Sequence, residues 1–159
     1  MSRLLRLLIV CCAACAVTVP AAAAPSAPAA PGCRPTPTDA FGPFGRGTPP
    51  VRSRIGTGHV LTGVVLSSLD CKPLERARVE LWQANRRGDY TRATSATVST
   101  DRNGRFRFEG PYPPSYEGRP AHIHLRIFAR AHEPLLARFV PARGAKRSSI
   151  RLVLRPAQV

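Results

Sequence analysis

Residues 121–128 read Ala-His-Ile-His-Leu-Arg-Ile-Phe, and the alternation in this stretch decides the fold class. On a β-strand, residues i and i+2 point to the same face. Three apolar side chains therefore face a core, while His122 and His124 share the opposite face. Their Cα atoms would stand about 6–7 Å apart, a spacing at which two imidazoles reach one metal ion. The pattern predicts a half-buried strand that carries a pair of metal-binding histidines.

Other short segments of the chain have the same strand character. They are residues 60–66, 78–83, 96–100, 105–108, 139–140 and 150–154. Asn103-Gly104 favours a tight hairpin between two of them, because this dipeptide tolerates positive φ. No segment beyond the N-terminal leader shows helical periodicity. Short strands separated by turns predict an all-β fold, an antiparallel β-sandwich, with His59 and His132 expected at its surface and Trp82 packed.

The chain of 159 residues allows one domain preceded by a leader. Residues 1–24 combine early arginines, an apolar run and small residues, as in a secretory signal peptide. Residues 25–58 form a Pro/Ala-rich arm, and residues 59–159 form the β-sandwich domain. We therefore expect an exported protein, periplasmic or extracellular, with no stable membrane span after leader cleavage.

Removal of the leader would leave two cysteines, Cys33 and Cys71. An even pair in an oxidising compartment is typical of one disulfide. By restricting the unfolded chain, it would stabilise the fold by about 3–4 kcal/mol.

The formal net charge is +15, and it is almost entirely arginine, since Lys72 and Lys146 are the two lysines. Such a charge is common in nucleic-acid-binding proteins. The arginines are scattered, however, and no aromatic stripe interleaves them, so no nucleic-acid partner is expected. An arginine-rich surface that attracts anions is the simpler interpretation.

Tyrosine adds to the histidine signal. Two of the three tyrosines, Tyr112 and Tyr116, stand shortly before His122. A phenol has a reference pKa near 10, and a highly charged cation lowers the pKa of the group it binds. A set of tyrosines and histidines therefore favours Fe(III) over zinc, whose sites use His, Cys and carboxylate.

Several stretches stand in a fixed order along the chain. They are Leu81–Asn85 with Gly88–Tyr90, then Thr100–Asp101 with Gly104–Phe108, and then Tyr116–His124, with Gly42–Phe44 upstream. In this order they resemble the intradiol ring-cleavage dioxygenases, the family of catechol and protocatechuate dioxygenases. The resemblance covers most of the chain after the leader.

The resemblance implies a site and a reaction. The implied ligands of a non-haem Fe(III) are Tyr90, Tyr116, His122 and His124. The implied partners are a catechol-type substrate and O2, with ring cleavage between the two hydroxyl-bearing carbons to give a muconate-type diacid. Arg119 is implied as a catalytic cation against negative charge on the ring.

Some features remain open at the level of sequence. Tyr112 lies in Gly110–Pro113, which also fits a Gly-Pro-Tyr-Pro pattern, so it is the reserve for Tyr116 as ligand. The family has a substrate-holding glutamine after the histidine strand, and here Ala137 or Arg138 stands in its place. The identity of the catechol, the efficiency of turnover and a homo-oligomeric state are not determined.

A rival interpretation comes from a different class of protein. Thr62–Val65, Lys72–Leu74 and Ala77–Leu81 also resemble transthyretin-like and carboxypeptidase-regulatory-like sandwich modules, which bind partners without catalysis. Fold alone does not separate the two classes. The combination of two tyrosines with two histidines favours the enzyme, because a binding module has no need of it.

Overall fold

The computed structural model describes residues 33–39 and 47–158. The proposed leader and Gly42–Phe44 lie outside these residues. The secondary structure consists of strands and a single turn of 3-10 helix at Arg92–Thr94. The strands are β1 His59–Ser67, β2 Arg78–Gln83, β3 Ser95–Ser99, β4 Arg105–Gly110, β5 Ile123–Phe128, β6 Leu135–Phe139 and β7 Arg147–Leu154.

The strands form two sheets, as the alternating sequence pattern predicted. One sheet has the order β4-β1-β7 and the other the order β3-β2-β5-β6. Every pairing within the larger sheet is antiparallel. In the smaller sheet β1 pairs antiparallel with β4 but parallel with β7. The chain enters β7 after leaving the other sheet, and a crossover of this kind permits a parallel pair where a hairpin does not.

The core lies between the two sheets and is apolar. It is built from the inward-facing residues of all seven strands, including Leu61, Val65, Val79, Leu81, Val98, Phe108, Leu125, Ile127, Ala137 and Leu152. Each strand contributes alternate residues, so the intervening side chains point outward. In β5 the outward positions include His124, and the preceding His122 shares that side.

The prediction of a hairpin at Asp101–Gly104 is wrong, although a tight turn is present there. Asp101 and Arg105 share a backbone hydrogen bond of 2.9 Å. The flanking strands β3 and β4 then enter different sheets. The turn is therefore a corner of the sandwich. A dipeptide that favours positive φ predicts a change of direction, and it does not determine which strands pair afterwards.

Three further expectations are corrected by the fold. His59 is 1% exposed and not at the surface, and His132 is half-buried with Nε2 2.9 Å from Ser67 Oγ. The strand expected at residues 139–140 occupies Leu135–Phe139. In β2, Glu80 and Trp82 are buried at 0% and 3% exposure. Trp82 is thus packed, as expected.

The described part of the N-terminal arm joins the edges of the two sheets. Thr36 N donates to Val153 O of β7 at 3.0 Å, and Asp39 N donates to Leu136 O of β6 at 2.9 Å. Residues 33–39 of the arm therefore cover the open side of the sandwich between β7 and β6, and Val51 and Arg54 of the same arm form single β-bridges with Thr97 and Glu109.

The arm begins at Cys33, whose sulfur lies against that of Cys71, with Cα atoms 5.3 Å apart. That Cα separation suits a disulfide. Across residues 33–39 and 47–158, no helix is long and apolar enough to span a membrane.

Candidate metal centre

The two histidines stand side by side on the outer face of the larger sheet. Both are 2% exposed. Their Nε2 atoms lie 3.1 Å apart and their rings are nearly perpendicular, with centroids separated by 4.7 Å. The strand alternation predicted from the sequence accounts for this arrangement, because residues two apart in an extended segment share a face.

The backbone fixes the tautomer of His122. Its Nδ1 lies 2.6 Å from the carbonyl oxygen of Pro120. A carbonyl only accepts, so Nδ1 carries the proton and donates. Nε2 of the neutral ring then carries the lone pair, and it points toward His124 and the tyrosines. Such orientation of an imidazole by a carbonyl is characteristic of metal-binding histidines.

Two tyrosines complete the cluster. The hydroxyl oxygens of Tyr90 and Tyr116 are 2.6 Å apart. Tyr90 Oη is 3.0 Å and Tyr116 Oη is 3.4 Å from His122 Nε2. The donor atoms of Tyr90, Tyr116 and His124 therefore all lie 3.0–3.4 Å from His122 Nε2. The structure brings together the four residues that the family resemblance implied.

Tyr90 is presented by a tight loop after β2. Asn85 Oδ1 accepts from the backbone N–H groups of Arg87 and Asp89 at 2.8 and 3.0 Å. The backbone closes again between Asn85 N and Asp89 O at 2.9 Å. This side-chain-supported turn ends one residue before Tyr90.

Tyr116 begins a second tight turn. Arg119 N donates to Tyr116 O at 2.8 Å, and the two residues between them, Glu117 and Gly118, have φ values of 47° and 73°. The turn directs the Tyr116 ring toward Gly88. A Cβ placed on Gly88 would lie 3.1 Å from Tyr116 Cδ2, so the close contact of the two loops favours glycine there. Sequence reasoning missed this positioning role.

Burial and neighbouring charge set the protonation of the cluster. Desolvation by burial, reinforced by the hydrogen bond to Tyr116, raises the pKa of Tyr90 above its ordinary value. Desolvation, followed by the positive charges of His122 and Arg138, lowers the pKa of His124 to about 4. In the described residues no group of three His, Cys, Asp or Glu side chains clusters elsewhere as a metal site. In the metal-free protein at neutral pH, the Tyr90 hydroxyl is therefore protonated and the His124 ring is neutral.

Tyr112 lies apart from this cluster. Its hydroxyl donates to the carbonyl of Ala142 at 3.2 Å. Its ring packs edge-on against His59, with centroids 6.0 Å apart. The tyrosine held in reserve therefore contacts the start of β1 and the loop before β7, and Tyr116 contacts Tyr90.

Arg119 borders the cluster on its exposed side. The guanidinium carbon lies 5.7 Å from the centroid of the Tyr116 ring, and its charge acts to lower the pKa of Tyr90 against the dominant effect of burial. Arg119 is therefore a solvent-facing cation within electrostatic reach of both phenols.

Arg138 borders the cluster from within the sheet. It is the cross-strand neighbour of His124, and its Nε lies 3.0 Å from Asp39 Oδ2 of the arm. Ala137 points into the core. Of the two residues expected in place of a glutamine, Arg138 is thus the one that shares a face with the histidines.

A buried ion pair supports the histidine strand. Glu80 is fully buried and accepts from Arg126 Nε at 2.7 Å. The Arg126 guanidinium also lies 5.1 Å from the Trp82 ring centroid, and Trp82 is the cross-strand partner of His124. Burial of the carboxylate is tolerated because it is paired. The sequence pattern did not reveal this pair, because its two members are 46 residues apart on different strands.

The chain is similar in sequence to proteins of known class. A family model described as Dioxygenase matches residues 47–141. A catechol 1,2-dioxygenase of Acinetobacter baylyi is 32% identical over 108 residues, a match that covers 49% of this chain and 34% of that protein. The chain thus spans about a third of the length of this curated relative.

Solved structures with a similar fold include two chains that the match covers almost completely. The dioxygenase domain of a dioxygenase carbohydrate-binding protein fusion from Streptomyces sp. SirexAA-E has a TM-score of 0.67 and 23% identity, covering 77% of this chain and 99% of that chain. An intradiol ring-cleavage dioxygenase from Tetranychus urticae has a TM-score of 0.66 and 19% identity, covering 74% and 92%. At these identities the structures support the fold.

Proposed function

The chain belongs to the family of intradiol ring-cleavage dioxygenases, and from this premise we propose that it cleaves a catechol-type ring with O2 by means of a non-haem Fe(III). Cleavage between the two hydroxyl-bearing carbons would give a muconate-type diacid. The observation that carries the proposal is the convergence of Tyr90 Oη, Tyr116 Oη, His122 Nε2 and His124 Nε2, which lie 2.6–3.4 Å from their neighbours in the cluster.

The donor set fits a trivalent iron. Bonds of about 2.0–2.1 Å from nitrogen to a central ion place adjacent donor atoms at separations close to those observed here. The donors are two phenols and two imidazoles, and burial raises the pKa of Tyr90 in the metal-free protein. Phenolates at this buried position therefore require a strong positive charge, which Fe(III) would provide.

Bound here, Fe(III) would supply Lewis acidity and accept electron density from the deprotonated ring. The protein supplies orientation and proton transfer. His122 and His124 are rigid donors because they lie on a buried segment. Tyr116 is half-buried, as Tyr90 is, and by the family resemblance Tyr116 is the donor that moves aside. Its phenolate oxygen can accept a proton from a catechol hydroxyl as the substrate enters.

Arg119 is the proposed catalytic cation. Its position beside the Tyr116 ring puts a fixed positive charge next to the entering catecholate. A cation preorganised near developing negative charge lowers the barrier most where water is excluded, so this role requires bound substrate to cover the side chain.

Iron loading with turnover of catechols tests the proposal. Protein loaded with ferric iron should be red to brown through tyrosinate-to-iron charge transfer, and should consume one O2 per catechol with formation of a diacid. Tyr90→Phe should lose most of the colour and the activity. A chain that remains colourless after ferric loading, or that retains full colour as Tyr90→Phe, would exclude this ligand set and leave the binding-module interpretation.

Export of the protein and a Cys33–Cys71 disulfide belong to the same proposal. The contact of the two sulfur atoms supports the disulfide. The composition of residues 1–24 supports a cleaved leader. Mass spectrometry of protein secreted by an expressing cell would test both, through the N-terminal residue and the mass change on reduction.

A further inference from the structure

The outer face of the smaller sheet is basic and lies on the opposite side of the sandwich from the metal centre. In β1, Leu61 and Val65 point into the core, so Thr62, Val64 and Leu66 point outward. The histidine pair is on the outer face of the other sheet. A ligand held on this face would therefore leave the metal centre open to solvent.

The strand register places arginines on both sides of this central strip. Arg105 of β4 and Arg151 of β7 are both cross-strand neighbours of Val64. Arg107 and Ser149 likewise flank Thr62. Neighbouring strands lie about 4.8 Å apart. Arg151 on β7 is therefore two strand spacings, roughly 10 Å, from the arginines on β4. Between them is a groove of about 1410 Å³.

The charge of this groove is positive. Arg105, Arg107 and Arg151 are exposed and line it. Glu109, the carboxylate nearest on β4, lies 2.8 Å from Arg107 and 2.9 Å from Arg54. Asp101 lies at one end and accepts backbone N–H bonds of its own turn at 2.8 and 2.9 Å. Arg107 is therefore shared with Glu109, and three arginines against Asp101 leave the lining of the groove with a net positive charge.

The chemistry of the groove selects among polyanions. A guanidinium pairs through two parallel hydrogen bonds with a carboxylate and also with a phosphate, so the arginines favour a polyanion of either kind. Single-stranded nucleic acid needs exposed aromatic rings for base stacking, and the aromatic residue lining the groove, Phe106, is 5% exposed. The floor contains Val64 and Leu66, which suit the CH faces of sugar rings. We propose that this arginine-lined groove binds a carboxylated polysaccharide and holds the protein on it with the metal centre facing outward.

Binding of the full-length mature protein to polygalacturonate tests the proposal. The groove variant combines Arg105→Gln, Arg107→Gln and Arg151→Gln. The control combines Arg130→Gln, Arg143→Gln and Arg155→Gln, which removes the same charge from exposed residues outside the groove. We expect the groove variant to lose at least about tenfold in affinity and the control to lose less than about threefold. Colour on ferric loading should be unchanged in both.

A second variant guards against misfolding of the triple substitution. Val64→Glu adds a carboxylate to the floor and should weaken binding to a similar extent, with thermal unfolding measured in parallel. If the groove and control variants lose the same affinity for polygalacturonate, binding depends only on the net charge of the protein, and the proposal is overturned. Tighter binding to single-stranded DNA or to anionic phospholipid vesicles than to polygalacturonate would also overturn it, as would equal binding to an uncharged polysaccharide.

Discussion

Tyr112 and Tyr116 are four residues apart and have different surroundings. Tyr116 places its hydroxyl 2.6 Å from that of Tyr90, while Tyr112 donates to the backbone of Ala142. The difference arises from the turn at Tyr116–Arg119, which reverses the chain just before His122. Tyr112 lies in a Gly-Pro-Tyr-Pro motif, but the chain reversal at Tyr116–Arg119 places Tyr116 next to Tyr90.

We predict that Tyr116→Phe and Tyr112→Phe have different effects on iron-dependent colour, activity and stability. After ferric loading, Tyr116→Phe should shift or weaken the visible absorption and reduce catechol turnover by at least about 100-fold, since it removes a donor atom. Tyr112→Phe should keep the colour and lose about 1 kcal/mol of stability with its hydrogen bond. Visible spectra and urea denaturation measure the two effects, and loss of colour in Tyr112→Phe alone would reverse the assignment.

His59 illustrates how burial changes the behaviour of a titratable residue. Its Nε2 lies 3.0 Å from Ser148 Oγ, and its ring stacks on Phe139 with centroids 6.4 Å apart. Desolvation by burial lowers the pKa of His59. Burial likewise lowers the pKa of His124 to about 4. Both rings are therefore neutral in the folded metal-free protein at pH values where the unfolded chain begins to bind protons.

We predict a loss of stability of the metal-free protein as the pH falls below about 6.5, the ordinary histidine pKa. Below that pH the unfolded chain binds protons that the folded chain does not bind. The free energy of unfolding therefore decreases as the pH decreases. His59→Gln should reduce this slope by up to about 1.4 kcal/mol per pH unit. Urea denaturation from pH 8 to 5 measures this slope. The difference between the two proteins at pH 8, where the histidine is neutral in both states, gives the effect of the substitution on packing. An unchanged slope would contradict the argument.

At the scale of elements, the Asp101–Gly104 turn passes the chain from one sheet to the other. Gly104 has φ of 68°, and a Cβ there would lie 2.5 Å from the carbonyl oxygen of Val65. The turn is therefore pressed against β1, and Gly104 O accepts from Val65 N at 2.8 Å. Glycine is required at this corner both by its backbone angle and by space.

We predict that Gly104→Ala destabilises the fold more than Gly144→Ala. Gly144 has a similar φ of 71°, and no atom of the described residues lies within 4 Å of a Cβ placed there. Alanine at that position should therefore cost about 1–2 kcal/mol from the left-handed conformation. Gly104→Ala bears the same cost plus about 1–3 kcal/mol for the clash with backbone. Chemical denaturation compares the pair, and equal losses would show that the corner can relax.

At the scale of the whole molecule, the arm connects the sandwich to the metal centre. Its first described stretch, residues 33–39, starts at Cys33 beside Cys71 and bonds to β7 and then β6. The Asp39 carboxylate pairs with Arg138, the cross-strand neighbour of His124. The arm thus holds one charged residue beside the histidines and closes one side of the core.

We predict that Cys33→Ser with Cys71→Ser lowers the free energy of unfolding by about 3–4 kcal/mol, because the cross-link restricts a separation of 38 residues in the unfolded chain. Reductant should lower the stability of the parent protein to the same extent and leave the double variant unchanged. Thermal unfolding with and without dithiothreitol measures both. A parent protein insensitive to reductant would show that the two thiols are not linked.

The sequence by itself predicted most of the strands and the shared face of His122 and His124, because alternation and turn chemistry are local properties. The full set of four residues at the centre came from the family resemblance. The sandwich class and the family were confirmed. Tertiary structure alone decided that β3 and β4 enter different sheets, that β7 runs parallel to β1, and that Glu80 and His59 are buried. Strand partners, burial of a polar side chain and the meeting of two distant loops at Gly88 and Tyr116 depend on contacts between residues far apart in the chain, which no local pattern encodes.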